Sequence, residues 1–130
     1  MALGLRVGST FNRLHGVVLD PAHCWLISIG NNVTLAPRAH ILAHDASTFQ
    51  FLGYARIGRV VIGDNVFIGA GTVILPNVRI GDNVVIGANS TVSQDLPANA
   101  VYAGNLAGRM CEIEGFCPQE QRRGDDTALL

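Results

Sequence analysis

The side chains able to carry a proton near neutral pH are the four histidines, His15, His23, His40 and His44. An imidazole changes charge between about pH 5 and 8, so a neutral ring is at hand as a general base. His44 has the most suggestive setting. It opens the run His44–Asp45–Ala46–Ser47, where an aliphatic stretch gives way to groups with no role in a core; the other reading is a solvated loop histidine. His23 follows Pro21 in a turn and His40 precedes His44 by four residues, and both read as surface histidines. His15 stands five residues before Asp20 in HGVVLD. Asp45 is the carboxylate adjacent to His44, but neighbours in an extended segment point to opposite sides. A backbone carbonyl is therefore the expected partner that fixes the tautomer. No Ser-His-Asp order and no strained nucleophile turn occurs, so a covalent serine intermediate is not expected. Three of the four histidines could in principle ligate zinc. Their spacing and flanking words fit poorly, and no required metal is expected.

What must position these groups is visible in Arg59–Val92. Ile62, Ile68, Ile74, Ile80, Ile86 and Val92 recur every six residues, four of them followed by glycine (Gly63, Gly69, Gly81, Gly87). Halfway between lie Val66, Thr72, Val78, Val84 and Ser90. A period of six is not that of an amphipathic helix. Strand formers punctuated on schedule by Gly, Asn, Asp and Pro predict a coil that turns a corner every six residues. Gly or Asn is expected at corners of positive φ. Three faces per turn give 18 residues per coil and place Ile62 on Ile80, Ile68 on Ile86 and Ile74 on Val92. The whole chain is thus expected to be one all-β domain, a parallel β-helix of hexapeptide repeats. The alternative is a sandwich with chance regularity.

The same phase appears earlier in Ile29, Leu35 and Ile41, then breaks for 21 residues. Coils are expected over about 15–42 and 57–103, with an excursion loop over 43–56. Ile57–Gly58 looks like a repeat word one residue out of register. Phe49, Phe51 and Tyr54 on the loop are expected to cover a neighbouring surface. Met1–Arg13 reads as a frayed start or a partial first turn. Residues 104–130 form a cap or tail, in which Arg109–Phe116 is a short helix or an arm over the open end of the coil.

Formal net charge is −1, with 9 Lys+Arg against 10 Asp+Glu, so there is no basic field to hold nucleic acid unspecifically. No apolar run is long enough to span a bilayer, and Met1–Leu14 shows no convincing cleavage site. Three cysteines, Cys24, Cys111 and Cys117, match no zinc spacing and suggest a reducing, cytoplasmic setting. Residues of small size recur 18 apart, Ala70 with Ala88 and Gly71 with Asn89. They would leave a shallow track down one corner, unless tight corners simply require small residues.

The segments ISIGNNVTLAPRAHILAHD and VVIGDNVFIGAGTVILPNVRIGDNVVIGANSTVSQDLPANAVYAGNLAG resemble the hexapeptide-repeat acyltransferases. The likeness covers nearly His15–Ala107 and is strongest to the maltose, galactoside and polysaccharide O-acetyltransferase branch. It implies a left-handed coil, which periodicity does not show. It also implies acetyl-CoA as donor and a homotrimer with sites between subunits. The histidine that deprotonates the acceptor hydroxyl matches His44. At His15 relatives tend to carry an asparagine that contacts the acceptor or the reaction centre; Asp45 joins that neighbourhood. The resemblance turns Ala70, Gly71, Ala88 and Asn89 into a path for the pantetheine arm. Ala103, Gly104 and Asn105 stand where relatives hold the nucleotide end. Relatives continue Gly-Asn-Pro-Ala-Lys, whereas this chain reads Gly104–Asn105–Leu106–Ala107–Gly108, and Arg109 stands in for the missing positive charge.

The expected function is transfer of an acetyl group to a hydroxyl of a sugar or polysaccharide precursor. An amino-sugar N-acyltransferase and a non-catalytic β-helix assembly module are the competing readings.

Overall fold

The structure, a computed structural model, describes residues 5–54 and 56–114. The first coil consists of β1 (Arg6–Val7), β2 (Phe11–Arg13) and β3 (Val18–Leu19). The second holds β4 (Ile27–Ile29), β5 (Val33–Leu35) and β6 (His40–Ile41). A hairpin of β7 (His44–Asp45) and β8 (Arg56–Ile57) then leaves the coil. The third coil is β9 (Val60–Ile62), β10 (Val66–Ile68) and β11 (Val73–Ile74), and the fourth β12 (Arg79–Ile80), β13 (Val84–Ile86) and β14 (Thr91–Val92). A partial fifth adds β15 (Ala100–Ala103), on which β16 (Gly108–Glu112) folds back.

Equivalent strands stack in register on three faces: β1-β4-β9-β12, then β2-β5-β10-β13-β15-β16, then β3-β6-β11-β14. Every coil-to-coil pairing is parallel, and only β15–β16 and the β7–β8 hairpin run antiparallel. Ile62 pairs with Ile80, Ile68 with Ile86 and Ile74 with Val92, as an 18-residue coil requires. The sandwich alternative is excluded by this order.

Each three-residue strand of the third and fourth coils turns two side chains inward. Val60 and Ile62, Val66 and Ile68, and Val84 and Ile86 are buried pairs flanking an outward residue. All nine positions of the aliphatic phase, from Ile29 to Val92, lie in the core. A buried Val or Ile is worth about 1.5–3 kcal/mol, so the stack is the main source of stability. On the third face Thr72 and Ser90 are buried polar residues, and both hydroxyls donate to the Gly87 carbonyl.

Glycine or asparagine stands at the corners of positive φ as expected, Gly16, Gly71 and Asn89 among them, with Arg38 as the exception between the second and third faces. Asn32, Asn65, Asn83 and Asn99 carry the positive φ between the first and second faces. Their amides form a ladder, each Nδ2 donating to the next Oδ1 at 2.8–3.1 Å. The short polar side chain of Asn makes the left-handed conformation tolerable. Gly63 is needed for close approach instead: a Cβ there would lie 2.2 Å from Asp82 Oδ1.

The ends differ from expectation too. Residues 6–19 form a full first coil, not a frayed start. Ile57 is out of register because it belongs to the hairpin, pairing with His44. Arg109 lies in strand β16, not a helix, and this strand covers the edge of the second face; Phe116 and residues 117–130 lie outside the described part. Cys111 is disulfide-bonded, so cysteine content lends no weight to a reducing compartment. Among the described residues no helix is long and apolar enough to cross a membrane.

Candidate active site

Among the described residues the two insertions into the coil are gathered at one corner. Val7, Phe11 and Val18 pair with Ile29, Val33 and His40, an offset of 22 on every face, so four residues beyond 18 are inserted after β3. Ile29, Val33 and His40 pair with Ile62, Val66 and Val73, an offset of 33, so fifteen more are inserted after β6. Both insertions occupy the corner between the third and first faces. One carries Asp20, His23 and the 3-10 turn Cys24–Leu26; the other carries His44 and the hairpin. Regular coil on three sides fixes their roots, and their tips are free of the repeat.

Asp20 is fully buried. Its Oδ2 accepts from the Ala43 N–H at 2.7 Å and bonds His44 Nδ1 at 2.6 Å. Its Oδ1 accepts from the N–H groups of Ala22 at 3.2 Å and His23 at 3.1 Å. Burial acts to raise the Asp20 carboxyl; the hydrogen bonds from His44, Ala43 and His23 and the charge of His44 outweigh it, and the group lies below its ordinary value. An ionised carboxylate only accepts, so Nδ1 of a neutral His44 carries the ring proton and Nε2 keeps the lone pair. The side chain of His44 is 35 % exposed, enough for an acceptor to reach it. Its ring packs against that of His23 at 4.7 Å between centroids, and His23 packs on Trp25 at 5.1 Å.

Asp45 does not hold the ring; its carboxylate accepts from the Ser47 N–H and caps the 3-10 turn Ala46–Thr48. The expected backbone carbonyl is replaced by a carboxylate 24 residues upstream. The short helix α1 (Phe49–Leu52) follows, and Phe49, Phe51, Leu52, Tyr54 and Ile57 are all exposed. Beside the hairpin an open groove of about 560 Å³ is lined by Asp45, Tyr54, Ile57, Leu75, Pro76, Asn77 and Ser93.

His15 lies elsewhere. Its carbonyl accepts from the Arg38 N–H, Pro37 O from Gly71 N, and Ala70 O from Asn89 N. These links place His15, Pro37, Ala70 and Ala88 in one line at the corner between the second and third faces. Ala103 meets Gly87 one step before that corner, and Gly104 and Asn105 continue onto the third face beside Thr91. Ala70, Ala88, Asn89, Gly104 and Asn105 are exposed, and Gly71 and Ala103 half-buried. Arg109 is on the outer strand and pairs with Glu112 at 2.9 Å. The small-residue line and His44 are thus separated within one chain by the third face, where β6 (His40–Ile41) runs between them. His15, His40 and His44 are not brought together, and the histidine zinc set imagined from the sequence is not assembled; His40 sits within β6 between the two corners.

Asp20 and His23 are the site residues that sequence reasoning missed. The register that would have found Asp20 sets Val18 on His40 and Leu19 on Ile41, which brings Asp20 to the Ala43 N–H.

A family profile described as bacterial transferase hexapeptide (six repeats) matches residues 59–94. Protein CapG of Staphylococcus aureus is 43 % identical over 110 residues, which cover 82 % of this chain and 64 % of CapG. Residues 59–94 thus carry the hexapeptide repeat, and most of the chain is similar to members of the hexapeptide-repeat acyltransferase superfamily. Its left-handed β-helix is shared with a maltose O-acetyltransferase from Clostridium difficile, with a TM-score of 0.76, 37 % identity, and coverage of 85 % of this chain and 60 % of that one. A hexapeptide-repeat acetyltransferase of Vibrio cholerae, complexed with acetyl coenzyme A, superimposes with a TM-score of 0.76, 27 % identity and coverage of 85 % and 61 %. The chain spans about three-fifths of the length of these superfamily relatives.

Proposed function

We propose that this hexapeptide-repeat chain is an acetyl-CoA-dependent O-acetyltransferase whose acceptor is a hydroxyl of a sugar or polysaccharide precursor, with His44 as general base. The carrying observation is the buried, ionised Asp20 bonded to His44 Nδ1 at 2.6 Å. It fixes the tautomer and stabilises the imidazolium that forms when Nε2 takes the acceptor proton. The attacking oxygen adds to the thioester carbonyl, and the departing thiolate takes a proton back from Nε2. Donor groups near the cleft hold the oxyanion. A non-catalytic module would have no use for a histidine held by a buried carboxylate at the corner that carries both insertions.

The donor reading is supported by the relative bound to acetyl coenzyme A and by the exposed line Ala70–Ala88. Because that line and His44 lie on different corners, the site is proposed to form between copies in a homotrimer. One copy supplies Asp20 and His44, and its neighbour supplies the small-residue corner headed by His15, with Gly71, Asn89, Ala103, Gly104, Asn105 and Arg109 along the donor path. Asp45 lines the groove where an acceptor would lie. Use of acetyl-CoA, rather than cysteine content, supports a cytoplasmic setting.

The test is thioester consumption against a panel of sugars, amino sugars and amino acids. Turnover with sugars is expected, and His44→Ala should lower kcat by roughly 10²–10⁴-fold while fold and acetyl-CoA binding persist. Turnover confined to amines would replace the O-acetyl reading with the N-acyl one, and near-normal turnover in a folded His44→Ala protein would remove His44 as the base.

A further inference from the structure

The insertion after β3 does more than supply a partner for His44. Asp20, His23 and His44 each offer one ligand atom, and these atoms lie within 4.8 Å of one another. His23 Nδ1 is 3.6 Å from Asp20 Oδ1, beyond hydrogen-bond reach, and is a buried nitrogen with no hydrogen-bond partner among the described residues. Its ring is not loose: it is held between the rings of Trp25 and His44. The carboxylate is fixed by the N–H groups of Ala22, His23 and Ala43, the kind of outer support that orients metal ligands.

We propose that Asp20, His23 and His44 form a binding site for a zinc-class divalent metal that inhibits the chain rather than serving it. Two imidazoles and one carboxylate suit zinc and its transition-metal neighbours, not the oxygen-seeking magnesium or calcium. Ligand atoms on tetrahedral zinc, at bonds of about 2.0–2.2 Å, stand roughly 3.3 Å apart. His44 Nδ1 stands 2.6 Å from Asp20 Oδ2 and His23 Nδ1 3.6 Å from Asp20 Oδ1, so small shifts bring both nitrogens and one carboxylate oxygen to that spacing. The exposed side of His44 leaves the fourth position to water. Coordination through His44 Nδ1 displaces the ring's single proton to Nε2, with no net proton release. The nitrogen with the free lone pair thereby becomes a donor. That inhibitory consequence rests on the acyl-transfer reading; binding of the metal does not.

The experiment titrates the full chain with Zn²⁺ against a chromophoric chelator, without acetyl-CoA or acceptor, and repeats it with Co²⁺ for its visible absorption. Saturable binding of one metal per chain is expected, weakened at least about tenfold in His23→Ala and in Asp20→Asn and unchanged in His40→Ala. Nitrogen-15 spectra of histidine-labelled protein cover the case in which a variant misfolds: Zn²⁺ should shift Nδ1 of His23 and His44. Absence of saturable binding below about 1 mM Zn²⁺, equal affinity in folded His23→Ala, or coordination through the Nε2 atoms would each overturn the proposal. Since these readings need no turnover, an inactive chain that binds Zn²⁺ and an active chain that does not are told apart.

Discussion

Asp20 accepts four hydrogen bonds in a site closed to water. Removing its charge while keeping its shape separates positioning from packing. Asp20→Asn is expected to lower kcat by roughly 10²–10⁴-fold with little change in KM, because the wrong tautomer of His44 becomes available while the cleft is intact. The same group makes stability depend on pH. Its folded pKa lies below the ordinary 3.8, so its contribution is complete above that value and is lost as pH falls through the folded pKa. Melting temperature should drop on acidification below about pH 4, and part of that drop should vanish in Asp20→Asn. At this scale the sequence showed His44, because a repeat breaks there, and hid its partner. The first coil has too few repeat words to reveal that Leu19 lies against Ile41, and without that register Asp20 has no address.

The coil itself was legible because one aliphatic position in six cannot be satisfied by any other regular element. Its inward stack leaves no room for charge: Ile80 is 1 % exposed and pairs with Ile62. Ile80→Asp should abolish folding, seen as loss of the cooperative thermal transition, since an unpaired carboxylate would enter the stack. The corner chemistry was only half legible. Gly and Asn do share the positive-φ role, as Gly71 and Asn89 show, but the glycines after the aliphatic positions have a second one and make way for the next coil. Asn65 has φ 57° and is bonded to amides above and below. Asn65→Ala should cost about 1–3 kcal/mol in chemical denaturation, and Asn65→Gly less, because glycine removes the strain but not the lost amide links. Insertions escape such rules. Nothing in the composition of 43–56 foretold a hairpin with a 3-10 turn and one helical turn, since no period constrains it.

At the scale of the whole molecule, the two halves of the proposed reaction centre stand on different corners of one coil. Phe51, 84 % exposed, with Phe49, Leu52, Tyr54 and Ile57, makes an apolar projection beside the His44 corner. Single exposed aromatics are common, but five large apolar side chains on one short excursion support the proposed trimer interface. Sedimentation should show a trimer, and Phe51→Glu should shift it toward monomer and reduce turnover while His44 and Asp20 stay in place. A wild-type monomer at all concentrations would remove the intersubunit site.

The asparagine ladder has a bearing on how the protein ages. Deamidation requires the amide carbon of an asparagine to meet the backbone nitrogen of the next residue. Here Asn32, Asn65 and Asn83 are each followed by valine, and their side chains are tied to one another. One conversion to aspartate would remove a donor and set a carboxylate against the neighbouring amide oxygen, so damage at one rung would loosen the next. The same links that hold the corner keep the reactive geometry out of reach, and long-stored protein analysed by peptide mapping should show these rungs among its last asparagines to convert.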